Sequence, residues 1–318
     1  MIKYSDVLDA KNRIDKYIYK TPLIKSGVLS NEHRNVYLKL DNQQNQRCTK
    51  LRGAFSKLTS LSENDIKKGI SVVSSGNHGI AISYAASVLG IDNVNVYIPK
   101  PTPKTKVDKI KSFGVNIHLI GENYDEAYSI GKSIIAEKGE LFIDSSSDVE
   151  VIAGQGTAGI ETFEDLSDID VVLVPIGGGG ILTGISLAAK HFNPQVEVIG
   201  VQTAACPAMV AAVRDNVFYG EYPTEDSICE SLVGGVGDIP FEMAKECIDD
   251  FLVVEEEDIK KAIKLLALEE KTIAEAGGAI SVGALIINPE LFKGKNVVAV
   301  ITGGNIDKEL LEDIICSK

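Results

Sequence analysis

Val171-Val172-Leu173-Val174-Pro175-Ile176-Gly177-Gly178-Gly179-Gly180-Ile181-Leu182-Thr183-Gly184-Ile185 decides how this chain folds. The opening run is apolar and β-branched, with no alternating polar residue, so it suits a strand covered on both faces. The closing run reads as the start of a helix. Between them, four consecutive glycines let backbone N–H groups curl around a small anion without Cβ interference. The helix N-terminus then turns its positive dipole end toward the same point. A buried strand, a phosphate cup and a helix in direct succession identify an α/β protein with mainly parallel sheets.

The same alternation extends in both directions. Short Val- and Ile-rich runs bounded by Gly, Pro, Asp or Asn predict strands at Val36–Leu40, Ile70–Val73, Val94–Ile98 and Val115–Leu119. Further runs predict strands at Val196–Val201, Phe251–Val254 and Val297–Ile301. Over Glu257–Leu268, Ile259, Ala262, Ile263, Leu266 and Ala267 recur at helical spacing, opposite Lys260, Lys261 and Lys264. No Pro- or Ser-rich tether interrupts the 318 residues, so two lobes with a ligand cleft between them are expected.

Composition narrows the function. A formal charge of −13 argues against a broad nucleic-acid binder, because an acidic surface repels phosphate backbones. It leaves room for a small anion held by local backbone dipoles. No apolar run reaches membrane-spanning length, and Met1-Ile2-Lys3-Tyr4-Ser5-Asp6 lacks the layout of a signal peptide. Five cysteines without a C-x-x-C pair read as reduced thiols of a cytoplasmic protein. The four histidines have no metal-ligand spacing, and no metal site is expected.

Gly154-Gln155-Gly156-Thr157-Ala158-Gly159 satisfies G-x-G-x-x-G, but Ser145–Glu150 before it is no buried strand, as a dinucleotide fingerprint requires. It reads instead as a helix start packed closely on a neighbour. Two other loops follow strands as Gly177–Gly180 does: Ser74-Ser75-Gly76-Asn77-His78-Gly79 and Thr302-Gly303-Gly304-Asn305. In open α/β sheets ligands bind beyond the carboxyl ends of the strands, so the three loops predict one shared site.

Taken in order along the chain, these residues resemble the fold-type II pyridoxal-phosphate enzymes, in the serine/threonine dehydratase and serine racemase branch. Cys48-Thr49-Lys50-Leu51-Arg52-Gly53-Ala54 resembles the cofactor-lysine segment, Ser74–Gly79 the substrate-carboxylate loop, and Gly177–Gly180 the phosphate loop. Glu275-Ala276-Gly277-Gly278-Ala279 and Thr302–Asn305 resemble the closing segments. The resemblance implies two open, twisted, mainly parallel sheets in two lobes. Residues 1–42 and 147–318 would form the large cofactor-binding domain and residues 43–146 the small one. It also implies a homodimer or higher homo-oligomer.

By the same resemblance, Lys50 would carry pyridoxal 5'-phosphate as a Schiff base and act as base on the substrate Cα. Asn77, Gly177, Gly178, Gly179, Gly180, Glu275 and Thr302 would bind the cofactor. Ser74, Ser75 and His78 would hold the substrate carboxylate. The chain departs from the pattern at Thr49, where relatives place an aromatic residue, and at Ser231, Ala276 and Thr302. Gln202, Cys206 and Ala208 stand where animal serine racemases have a divalent-metal site, and its carboxylates are missing. The implied reaction is β-elimination from a 3-hydroxy amino acid, threonine or serine, to a 2-oxo acid and ammonia. An amino-acid racemase using Lys50 and Ser75 is the alternative, followed by a non-catalytic binding protein and last by a nicotinamide dehydrogenase.

Overall fold

The computed structural model describes residues 1–317 and holds two sheets. The larger contains β1 (Leu23–Lys25), β2 (Asn35–Lys39), β7 (Val171–Pro175), β8 (Glu197–Thr203), β9 (Asp250–Val254) and β10 (Asn296–Val300). Their spatial order is β1-β2-β10-β7-β8-β9, and all pairs are parallel except β1 with β2. The smaller contains β3 (Ile70–Val73), β4 (Val94–Ile98), β5 (Asn116–Leu119) and β6 (Leu141–Phe142), all parallel, in the order β5-β4-β3-β6. Each predicted strand is present to within a residue or two. The sequence reading lacked β1 and β6, which are three and two residues long.

The helices are α1 (Tyr4–Ile14), α2 (Lys50–Ser60), α3 (Glu63–Lys67), α4 (Asn77–Leu89), α5 (Lys104–Lys111), α6 (Tyr124–Lys138) and α7 (Val149–Asp165). They continue with α8 (Gly180–Phe192), α9 (Ala208–Asp215), α10 (Asp238–Cys247), α11 (Glu256–Leu268), α12 (Ala276–Ile287) and α13 (Lys308–Cys316). Every residue of β3, β4 and β7 is buried, as sheets covered on both faces require. Residues Ala276 through Leu285 of α12 are likewise all buried, which explains why that helix is apolar on every side. No described helix is long and apolar enough to cross a membrane.

Both sheets reverse direction at one point. In the larger, the chain proceeds outward from β7 to β8 and β9 and then returns to place β10 on the other side of β7. In the smaller, β4 and β5 lie on one side of β3 and β6 on the other. The loops following β7 and β10, and those following β3 and β6, therefore diverge and leave a crevice, the usual ligand position in such sheets.

Gly154–Gly159 lies inside α7, whose true start is Val149, capped by Asp148 Oδ1 accepting from the Glu150 and Val151 N–H groups. The expected helix start is thus corrected to a helix interior; the expected close packing is found. A Cβ on Gly154 would fall 2.5 Å from the Arg52 carbonyl oxygen, and one on Gly156 would fall 2.6 Å from that of Gly184. These glycines let α7 touch α2 and α8.

Beneath the crevice lies a buried charge cluster. Arg52, with no exposed surface, donates from Nε and Nη2 to Asp41 (2.8 and 2.9 Å) and from Nη1 and Nη2 to Glu161 (2.7 and 2.8 Å). Lys39 Nζ donates to Glu161 Oε2 at 2.6 Å and to the Thr21 carbonyl at 2.8 Å. Two cations face two anions, and the Arg52 guanidinium holds the Asp41 carboxyl well below the usual carboxylate range despite burial. The cluster ties β2 and α7 to α2, the helix whose first residue is Lys50.

Candidate active site

Three segments meet around Lys50. Thr49 N donates to the Thr302 carbonyl at 2.9 Å, and Cys48 pairs with Gly303 in an antiparallel bridge, so the lysine segment lies along the loop after β10. Lys50 itself is half-buried, and its Nζ donates to the Ser145 carbonyl at 3.4 Å, in the loop after β6. Burial pushes its pKa down, against the opposing pull of Asp144, Cys48 and Glu275. An amine in that state can lose its proton and act as nucleophile or base.

The Gly177–Gly180 turn connects β7 to α8, with Gly179 at φ +94° as the N-cap. A side chain there would be strained by the backbone alone and would also meet Pro240 Cβ at 2.6 Å. A Cβ on Gly177 would stand 3.0 Å from the Ser231 carbonyl oxygen, and one on Gly178 would collide with Ser146. The turn is therefore enclosed by the Ser146 and Ser231 segments, while the first N–H groups of α8 lack intrahelical partners.

Asn77 begins α4, directly after β3 and the Ser74-Ser75-Gly76 turn. Its Nδ2 donates to Glu275 Oε1 at 2.7 Å, and its Oδ1 accepts from Asn305 Nδ2 at 2.7 Å. The second Nδ2 hydrogen remains for another acceptor. Glu275 Oε2 accepts from Asn305 N at 3.1 Å, joining the start of α12 to the loop after β10. Burial raises the Glu275 pKa to about 7. Thr302 Oγ1 donates to the Gly277 carbonyl at 3.3 Å, and Thr49 Oγ1 donates to Gln155 Oε1 at 3.1 Å.

His78 follows Asn77 in the first turn of α4. Its imidazole is buried and its Nε2 lies 3.1 Å from the Ile143 carbonyl oxygen, to which it donates as the neutral ring. Desolvation, reinforced by the charge of Lys50, lowers its pKa to about 4. Nδ1 is then a bare acceptor, unable to hold a carboxylate. What His78 can offer is its backbone N–H, which with those of Asn77 and Gly79 opens the first turn of α4.

The sequence reading also passed over Asp144-Ser145-Ser146-Ser147. Asp144 Oδ1 accepts from the N–H groups of Ser146 and Ser147 at 2.8 Å each, and Oδ2 accepts from the Tyr128 hydroxyl at 3.0 Å. This turn presents the Ser145 carbonyl to Lys50 and Ser146 to the glycine turn. Its one visible signal was polarity without periodicity, which marks loops in general. At the position of the animal racemase metal site, Gln202 Oε1 accepts from Val210 N at 3.0 Å and Nε2 donates to the Cys206 carbonyl at 3.5 Å.

These features suit a phosphate-bearing aldehyde: a lysine amine whose pKa burial lowers, and a close-walled glycine turn opening on a helix N-terminus. Comparison with known sequences agrees, since the family described as pyridoxal-phosphate dependent enzyme matches residues 14–303. The chain belongs to that family. It is 39% identical to the L-threonine ammonia-lyase of Thermotoga maritima over 99% of this chain and 78% of that one. It is 34% identical to the catabolic L-threonine dehydratase of Escherichia coli K12, over 98% and 96% of the two chains. Among solved structures, serine racemase from Dictyostelium discoideum superposes with a TM-score of 0.89 at 31% identity, over 96% of this chain and 99% of that one. As a family member the chain is an enzyme that depends on pyridoxal phosphate, and the expected two-sheet α/β fold is the one observed.

Proposed function

We propose that this enzyme is an ammonia-lyase for 3-hydroxy amino acids, acting on L-threonine or L-serine. The observation carrying the proposal is the half-buried Lys50 amine where the divergent loops of both sheets meet. The identity to two threonine lyases over nearly the whole chain supports the substrate class.

Pyridoxal phosphate, when bound, supplies an electron sink that acidifies the substrate Cα–H. On this reading Lys50 holds the cofactor, and Gly177–Gly180 with the α8 N-terminus takes its phosphate. Asn77, with one amide hydrogen to spare, Glu275 and Thr302 would bind the rest of the cofactor. Ser74, Ser75 and the first N–H groups of α4 hold the substrate carboxylate. The Lys50 amine would take the substrate Cα proton and return it to the departing β-hydroxyl. Water leaves the substrate and is taken up again as ammonia departs, giving the 2-oxo acid. Thr302 would bring a neutral hydroxyl rather than a carboxylate to the cofactor, which would then be a weaker electron sink. Elimination suits that arrangement because the leaving group carries the electrons away.

The division into lobes at 42/43 and 146/147 belongs to the same proposal. So do the homo-oligomer and the cytoplasmic location, the latter supported by five free thiols. The racemase alternative rests on the close superposition with a serine racemase. To test the proposal, the holoenzyme is incubated with L-threonine, L-serine and their D-isomers, and ammonia, 2-oxo acid and chirality are followed together. Ammonia with matching 2-oxo acid is expected from the L-isomers. Borohydride should fix the cofactor on the Lys50 peptide; fixation on another lysine, or inversion without ammonia, would overturn it.

A further inference from the structure

The protein is strongly acidic, yet residues 100–111 carry Lys100, Lys104, Lys106, Lys109 and Lys111 against a single acid, Asp108. Most of this segment is α5, and it borders the cleft. Lys106 Nζ pairs with Glu230 Oε2 at 2.8 Å, next to the Ser231 segment that encloses Gly177. Lys109 Nζ donates to Asn305 Oδ1 at 3.4 Å, on the loop that holds Glu275. Arg47, exposed, accepts through its carbonyl from Gly304 N at 2.8 Å and so stands on the same rim. Lys104 and Lys111 are exposed on the other flank of α5, turned away from Lys106 and Lys109.

We propose that Lys106, Lys109 and Arg47 form a positive collar at the cleft mouth that speeds capture of the anionic cofactor by the cofactor-free enzyme. The ligand chemistry recognised is a phosphate monoester dianion. Fixed charge of one sign at a cleft entrance raises association rates, and salt removes the gain. Without the collar, a protein of charge −13 would repel pyridoxal phosphate. An amino acid is a zwitterion without net charge, so the collar acts on the cofactor and leaves the substrate unselected. The inference rests on the family's cofactor and is independent of which reaction follows.

The test is stopped-flow reconstitution of the cofactor-free enzyme, following cofactor absorbance. The wild-type association rate should fall steeply as ionic strength rises from about 10 mM to about 0.5 M. R47E/K109E reverses two charges on the rim, and at low salt it should slow association about tenfold and lose most of the salt dependence. K260E/K261E on α11 makes the same charge change and should alter the rate less than twofold, roughly. Pyridoxal, which lacks the phosphate, should bind R47E/K109E at the wild-type rate. A salt-independent wild-type rate would overturn the collar even if the rim variant failed to fold. Equal slowing by both double variants, or slowing with pyridoxal too, would do the same.

Discussion

Ser75 separates the two enzyme readings at the scale of single residues. Elimination needs one base, which Lys50 supplies; racemisation needs a second on the opposite face of Cα. If Ser75 only anchors the carboxylate, Ser75→Ala raises KM about tenfold, the worth of one hydrogen bond to a charged group, and leaves much of kcat. Steady-state kinetics on both L-substrates check this. A wild-type enzyme that interconverts serine enantiomers, with Ser75→Ala abolishing only that, would establish the racemase. His78 yields a second expectation. Its folded-state pKa, about 4, lies below the 6.5 of a free imidazole, so the unfolded chain binds more protons between those values. Stability should therefore fall as pH drops from about 6.5 to about 4, and His78→Gln should flatten that part of a urea-denaturation profile. The role of the imidazole was not legible in the sequence because Ile143, its partner, is remote in the chain.

For the elements, the two glycine clusters carry opposite expectations. Gly156→Val should destabilise the cofactor-free protein by about 2–3 kcal/mol, because rigid helix backbone on α8 cannot withdraw from the new side chain. The folded fraction should still bind cofactor normally. Gly178→Val should weaken cofactor binding instead. Urea denaturation and cofactor titration on both variants check the pair; a binding loss in Gly156→Val alone would exchange the roles of the clusters. Sequence context placed these clusters differently in the fold, because only Val171–Pro175 supplies a buried strand ahead of its glycines. It missed the start of α7 because Asp148 resembles any polar loop residue until its cap bonds are seen. Likewise Leu23-Ile24-Lys25 and Leu141-Phe142 are too short to display an alternation, and they became strands only through their neighbours.

On the scale of the whole molecule, the buried cluster of Lys39, Asp41, Arg52 and Glu161 sets the seat of the lysine helix. Asp41→Asn removes one anion and leaves Arg52 partly uncompensated, a loss of about 3–5 kcal/mol for a buried pair. Thermal unfolding should detect it, while Asp15→Asn, in a surface pair, should change little. The sequence held one clue, Lys39 inside the otherwise apolar run Val36–Leu40, but no local pattern shows which carboxylates lie opposite a lysine.

Thr49 and Thr302, bonded backbone to backbone, come from opposite ends of the chain. That bond has a consequence for how the protein is made. The smaller sheet draws its strands from one contiguous stretch and can assemble while synthesis continues. The larger sheet cannot, because β10 separates β2 from β7 and is the last of its six strands to be translated. Until residues 296–303 leave the ribosome, the first hairpin has no neighbour and Lys50 has no loop to lie against. The cofactor pocket is therefore completed only once β10 and the loop after it have been made, after a long-range closure of the kind that folds slowly. A nascent chain stalled before Asn296 exposes the edges of β2 and β7 and has no finished place for the cofactor that would stabilise it.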